Sequence, residues 1–322
     1  MRRILVPLDG SGFGEIALPV AAAIAQRSGS ELELVMVHTS VPHLDLSRAT
    51  EAEIDAALRG REGAYLKDVA EQVRRRFEIS VTPTVLDGAT VSAIVQHVVA
   101  DPPQLIVMST HGRAGASRFF LGSVADRLVR ELHYPFLLVR PGTRLTKDEL
   151  PETAHVLVPL DGSQLAESVI DEVARVFPPA TTAIHLVRVV VPIDLLPVGV
   201  PVPPPPVSPE IMDSQLASAR QYLDAVVPKL RRHGWTVHQE VVVDRSPSAA
   251  VLGYAEGHHC DAIALATRGR GGVQRVLFGS VADKVIRGAA TPVLVVNPPA
   301  GGFSRVLSGE LEEVGAAAAA PP

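Results

Sequence analysis

The segment Ile4-Leu5-Val6-Pro7-Leu8-Asp9-Gly10-Ser11 returns as Val156-Leu157-Val158-Pro159-Leu160-Asp161-Gly162-Ser163, identical at seven of eight positions. Further on, Thr110-His111-Gly112-Arg113-Ala114-Gly115 and Leu121-Gly122-Ser123-Val124-Ala125-Asp126 return as Thr267-Arg268-Gly269-Arg270-Gly271-Gly272 and Phe278-Gly279-Ser280-Val281-Ala282-Asp283. The offset is 152 residues for the first segment and 157 for the later ones, which fits a five-residue insertion at the proline-rich stretch Pro201 to Pro209. Copies this long can each hold a core, whereas solenoid repeats of ~20–50 residues cannot. The 322-residue chain is therefore a tandem pair of complete domains, each near the usual ~150 residues. We expect them over 1–143 and 154–300, with a linker at 144–153 and a low-complexity, poorly ordered tail at 301–322.

In the first copy, apolar runs of strand length (Ile4–Pro7, Leu32–Val37, Val81–Leu86, Leu105–Met108, Phe136–Val139) alternate with helix-length segments (Glu15–Ser28, Ser47–Phe77, Thr90–Val99, Ser123–Leu132). Unbroken Val, Ile and Leu runs, rather than period-two alternation, indicate a parallel sheet covered by helices on both faces. Thr90 and Ser123 are the expected N-caps and Gly29 the expected helix stop. The second copy repeats the rhythm from Val156 to Asn297, with its own long helix from about Pro209 to His233.

Composition removes several functions. A net charge of −5 offers no global attraction to nucleic acid or anionic lipid. The scattered Trp235, Tyr65, Tyr134, Tyr222 and Tyr254 form no stacking platform for single strands and read as packing residues. The most apolar long stretch, Val189 to Val207, holds Asp194 and seven prolines and reads as a loop rather than a membrane span. Met1-Arg2-Arg3 runs straight into the strand-like Ile4-Leu5-Val6 without an apolar leader core, so a cytoplasmic setting is expected. The lone Cys260 can close no intramolecular disulfide, which also suits a reducing compartment.

In a doubly wound sheet ligands sit beyond the carboxyl ends of the strands, where strand order reverses. Three loops there draw attention: Asp9-Gly10-Ser11, Thr39-Ser40, and the glycine-rich Ser109 to Ser123. Gly112 and Gly115 let backbone amides approach an anion, and Gly122-Ser123 puts free amides at a helix start. Arg113 and Arg118, repeated as Arg270 and Arg275, add cationic donors suited to phosphate oxygens. Asp9 and Asp161 can accept from a ribose hydroxyl or adenine amino group, or can simply cap the following helix. The spacing Gly-x9-Gly-Ser recurs at Gly112 to Ser123 and Gly269 to Ser280 although most residues between them differ, which favours a shared geometry over a simple turn.

These residues resemble the universal stress protein family, in its tandem-domain form. Its signature Gly-x2-Gly-x9-Gly-(Ser/Thr) is matched as Ser109-x2-Gly112-x9-Gly122-Ser123 and Ala266-x2-Gly269-x9-Gly279-Ser280, with the first glycine replaced in both copies. The resemblance implies an α/β fold of two doubly wound, five-stranded parallel sheets, ordered 3-2-1-4-5 and set as a pseudo-twofold pair. It implies ATP as ligand, with Mg2+ or Mn2+ bridging the phosphates. Asp9 and Asp161 are then placed near adenine and ribose, with Thr39 and Val189 framing the base. Met108, Ser109, Gly112, Arg113, Gly115, Gly122, Ser123 and Val124 take the phosphate end of one site. Leu265, Ala266, Gly269, Arg270, Gly272, Gly279, Ser280 and Val281 do so in the other. Pairing the edge strands Phe136–Val139 and Val293–Val296 would remove exposed backbone donors, and further homodimerisation of the whole chain is expected.

Other chemistries lack their residues. No Gly-x4-Gly-Lys-(Ser/Thr) P-loop exists, Glu15 replaces the last glycine of a dinucleotide fingerprint, and Gly-x-Ser-x-Gly is absent. His258-His259-Cys260-Asp261 reads as a solvated helix end rather than a metal site, and His111 becomes Arg268 in the second copy. The leading expectation is an ATP-binding stress-response regulator with slow or no hydrolysis, having no assigned catalytic residue. The competing ones are an adenine-nucleotide hydrolase or transferase and a scaffold that binds no nucleotide.

Overall fold

A computed structural model describes residues 3–40, 48–110, 121–142, 153–192, 209–267, 278–297 and 304–308. The chain divides into two compact units, 1–151 with 290–297 and 152–289 with 298–322. The expected linker, the proline-rich insertion and most of the tail lie outside the described residues.

The first unit runs β1 (Arg3–Pro7), α1 (Gly12–Glu15), α2 (Ala17–Ser28), β2 (Glu31–His38), α3 (Arg48–Phe77), β3 (Val81–Asp87), α4 (Thr90–Ala100), β4 (Leu105–Ser109), α5 (Ser123–Glu131) and β5 (Phe136–Val139). Its strands lie in the order β3-β2-β1-β4-β5, all parallel. The central strands β1, β4 and β5 bury Ile4, Leu5, Val6, Ile106, Val107 and Phe136 completely or nearly so, which is why they lack alternation. Edge strand β3 is half-exposed and carries Pro83, which blunts an edge. Alanines let α2 lie close to the sheet: Ala17, Ala21, Ala22 and Ala25 are all fully buried.

The second unit repeats the plan with β6 (Ala154–Pro159), α6 (Gln164–Glu167), α7 (Val169–Val176), β7 (Thr182–Val190), α8 (Pro209–Arg232), β8 (Thr236–Val243), α9 (Pro247–Gly257), β9 (Ala262–Ala266) and α10 (Ser280–Gly288). Its parallel order β8-β7-β6-β9 matches β3-β2-β1-β4. The strand β10 (Val293–Val296) groups with the first unit, where it pairs antiparallel with β5, Leu294 opposite Leu137. That pairing covers the backbone edge that β5 would otherwise present.

Three local expectations change. The N-caps are Ala89 and Gly122, because Thr90 and Ser123 are already the first helical residues, and neither cap uses a side chain. Serine caps stand instead at Ser11, Ser163 and Ser246, whose hydroxyls accept from the amides of Gly14 (3.2 Å), Ala166 (3.1 Å) and Ala249 (3.4 Å). Within the tail, Ser304 and the short helix α11 (Arg305–Ser308) dock on the second unit: Asp171 Oδ1 accepts from Ser304 Oγ at 2.7 Å and Val306 N at 3.1 Å. Val306 and Leu307 are buried there, an apolar pair that a compositional reading of the tail passes over. Gly29 stops α2 in the left-handed region as expected, at φ 62°.

Candidate functional site

The order β2-β1-β4 puts the chain reversal between β1 and β4, and the same reversal falls between β6 and β9. The turn after β1 needs a positive φ at Gly10 (77°), and the turn after β6 needs one at Gly162 (78°), a conformation that side chains disfavour. That bend turns the aspartate back onto the serine cap. Asp9 Oδ1 accepts from Ser11 N at 3.0 Å and Ser11 Oγ at 2.6 Å. Asp161 Oδ1 does the same with Ser163, at 2.9 and 2.5 Å. The aspartates are thus held in place by the serine caps. In the first copy the carboxylate lies so close to Gly14 that a Cβ there would meet Oδ1 at 2.7 Å, whereas the second copy places Ala166 at that position.

At the neighbouring strand, Met108, Ser109 and Thr110 are buried, as are Leu265 and Thr267, while Ala266 is half-buried. The following helix starts are alike. Gly122 N donates to Thr110 O at 2.8 Å, and Gly279 N donates to Thr267 O at 2.6 Å. The expectation that the Gly122 and Gly279 amides are free for a ligand is therefore corrected, since each closes the loop onto the strand it follows. A Cβ on Gly122 would stand 3.2 Å from Thr110 O, so close approach rather than unusual φ explains the glycine. The amides beyond it differ: neither helix has a side-chain cap, and among the described residues Ser123, Val124 and Ala125 have no acceptor for theirs. Ser123 and Ser280 are exposed, Val124 and Val281 half-buried. Such a helix start suits an anion, through aligned amides and the helix dipole.

Thr39 lies just past β2, with its hydroxyl donating to Gly88 O at 3.2 Å. Val189 sits inside β7 opposite Val242, and the registers Pro7↔Val35 and Pro159↔Val187 make it the counterpart of Val37 rather than of Thr39. Gly112, Arg113, Gly115, Gly269, Arg270 and Gly272, with His111, Arg118 and Arg275, lie outside the described residues.

A feature absent from the sequence reading joins the long helices to these turns. Tyr65 on α3 donates to Glu15 Oε1 at 2.7 Å, and Tyr222 on α8 donates to Glu167 Oε1, also at 2.7 Å. Burial, the Glu167 carboxylate and the nearby Asp161 push the Tyr222 hydroxyl well above the usual tyrosine range, so it stays a donor. The tyrosines therefore do more than pack. The clue was present: Glu15 and Glu167 are 152 residues apart, Tyr65 and Tyr222 are 157 apart, the same two offsets that relate the other repeated motifs. The copies diverge at one point. Arg188 Cζ stands 5.5 Å from the Tyr222 ring centre, a cation against a π face, where the first copy has Met36.

The doubly wound sheets with this duplicated turn and helix start define a family, and comparison with known proteins agrees. The chain belongs to the universal stress protein family, whose model matches residues 1–140 and 152–297. It is 25% identical over 311 residues to a universal stress protein of Mycolicibacterium smegmatis, covering 92% of this chain and 97% of that one. It is 26% identical over 304 residues to one from Mycobacterium tuberculosis, covering 91% and 95%. Among solved structures, a universal stress protein from Archaeoglobus fulgidus superposes with a TM-score of 0.65 at 20% identity, covering 92% of this chain and 98% of that chain. No helix among the described residues is long and apolar enough to cross a membrane.

Proposed function

We propose that this family member is an adenine-nucleotide-binding, stress-responsive regulator of the cytoplasm, with up to two sites and slow or no hydrolysis. The observation that carries the reading is the pair of uncapped helix starts, α5 and α10, each following the strand next to an anchored aspartate turn. Phosphate oxygens fit the amides of Ser123, Val124 and Ala125, and the sugar end fits Asp9; Ser280, Val281, Ala282 and Asp161 correspond in the second copy. ATP would supply the polyanion these amides are arranged to receive. Among the described residues no three His, Cys, Asp or Glu side chains gather as a metal site, so Mg2+ or Mn2+ would enter with the phosphates. Homodimerisation of the whole chain belongs to the same proposal. The scaffold reading draws on one fact, that the Gly122 and Gly279 amides are already bonded within the chain.

Small molecules released from the purified protein and identified by mass spectrometry test the proposal: adenine nucleotide at up to two per chain supports it, and a different class of ligand overturns it. The Gly122→Val variant gives the companion result. Its Cβ would crowd Thr110 O and shift the start of α5, so nucleotide affinity at the first site is expected to fall by about tenfold or more, the scale of one or two lost charge-assisted hydrogen bonds. Unchanged affinity at both sites would place the phosphates elsewhere.

A further inference from the structure

On the sheet of the second unit four histidines, three from strands and one from the end of a helix, come together, though they stand far apart in the sequence. His185 on β7 is buried. Its Nε2 lies 2.9 Å from His155 Nδ1 on β6, and its Nδ1 lies 3.2 Å from the Tyr254 hydroxyl on α9. His238 on β8 stacks on it at 4.7 Å between ring centres, and His258, just past α9, stands at 6.0 Å. The first unit fills the same positions differently. At the 152-residue offset His155 and His185 correspond to Arg3 and Glu33, and at 157 Tyr254 and His258 correspond to His97 and Asp101. There Arg3 pairs with Glu33 and Asp101, while His97 Nε2 lies 3.0 Å from Glu33 Oε1. One scaffold thus carries a built-in buried charge pair in one copy and a cluster of imidazoles in the other.

We propose that the His155, His185, His238 and His258 cluster is an acid sensor: mild acidification favours opened forms in which His185 takes up a proton, and so loosens the second unit, while the first unit keeps its packing. Only one of the facing nitrogens of His155 and His185 can hold a proton, so charging both rings sets N–H against N–H and adds a buried like-charge repulsion. The acidic groups around the cluster do little for His185. Glu240 on β8 faces His258 at 4.0 Å, with both side chains about half exposed. Asp261, ahead of β9, accepts on Oδ2 from the His155 amide at 2.7 Å. Cys260 beside it is buried and its thiol is pushed up to about 12 by burial and then Asp261, so it supplies no thiolate. Burial first, then His238, His155 and His258, push His185 down to about 4 from an ordinary 6.5. A histidine lowered in the folded state contributes its stability in full above the unfolded value and loses it as pH falls through 6.5 toward 4.

Hydrogen exchange of the full chain, read by mass spectrometry at pH 7.5 and 5.0 and corrected for intrinsic rates, tests this. Protection of Thr182–Val190 and Ala262–Ala266 is expected to fall about tenfold or more, while Glu31–His38 and Leu105–Ser109 hold theirs. Transplanting the first-copy pair, His155→Arg with His185→Glu, should remove the pH-dependent loss. Equal loss in both units, or loss that persists in a folded transplant, would overturn the proposal. Should the transplant not fold, proton NMR titration of the imidazoles in the unaltered protein decides: a His185 midpoint well below the ordinary histidine value supports the sensor, and one at or above it refutes it.

Discussion

Glu33→Ala is expected to destabilise the first unit by about 3–5 kcal/mol, because it strands a charge whose partner has gone. Glu33 is 5% exposed, in the middle of β2. It takes the Arg3 guanidinium on one oxygen, and on the other it accepts from Thr84 Oγ1 at 2.7 Å and faces His97. Arg3 would keep Asp101, whose side chain is largely exposed and holds it weakly, and a 3.4 Å approach to His97 Nε2, which carries no countercharge. Urea unfolding measures the loss as a lowered midpoint at unchanged slope. The pair itself is not the source of stability, since two charges brought out of water lose much of what they gain from each other. The double variant Arg3→Met with Glu33→Met should therefore be far less damaged than the single one. A single variant within about 1 kcal/mol of the parent would mean that Arg3 finds solvent, against its 13% side-chain exposure.

The second large effect belongs to Phe136→Ala, expected to cost about 3–5 kcal/mol from the cavity it leaves. Phe136 is wholly buried in β5, between Ile106 of β4 and Val295 of β10, so nothing on either side can collapse without disturbing sheet pairing. The position equivalent at the 157-residue offset is Val293, equally buried. A valine at 136 is thus compatible with the strand and should cost less than the alanine. Urea unfolding of both variants checks the ranking; an alanine as stable as the valine would mean that the site closes over the cavity.

Much of this was legible in the chain because duplication doubles every signal. Ile4–Val6 and Leu105–Met108 announce buried parallel strands by lacking alternation, and both lie centrally in the sheet. Asp9, Asp161, Gly122 and Gly279 are where their repeated spacing puts them, at the sheet's reversal. What escaped is non-local. A motif shows that Gly122-Ser123 opens a helix, but not that the Gly122 amide turns back to Thr110 O, which depends on how the loop closes. Ser123 and Thr90 look like caps by residue type, yet the backbone enters each helix one residue earlier. The Tyr65–Glu15 and Tyr222–Glu167 bonds join residues 50 and 55 apart, visible only by comparing offsets between the copies. His258 is exposed at a helix end as it read, but the gathering of His155, His185 and His238 beside it depends on strand register, which sets Leu157 and His238 opposite His185.

The two copies share a frame and differ in what they place on it: Met36 against Arg188, Gly14 against Ala166, and the Arg3–Glu33 ion pair against His155–His185. Such differences make two equivalent nucleotide sites an unneeded assumption. The central claim is that uncapped helix starts beside anchored aspartates receive an adenine nucleotide. Calorimetric titration of the nucleotide-stripped full chain with ATP, with and without Mg2+, addresses it most directly. Saturable heat at one or two ATP per chain is the predicted result; no heat at millimolar ATP would contradict it.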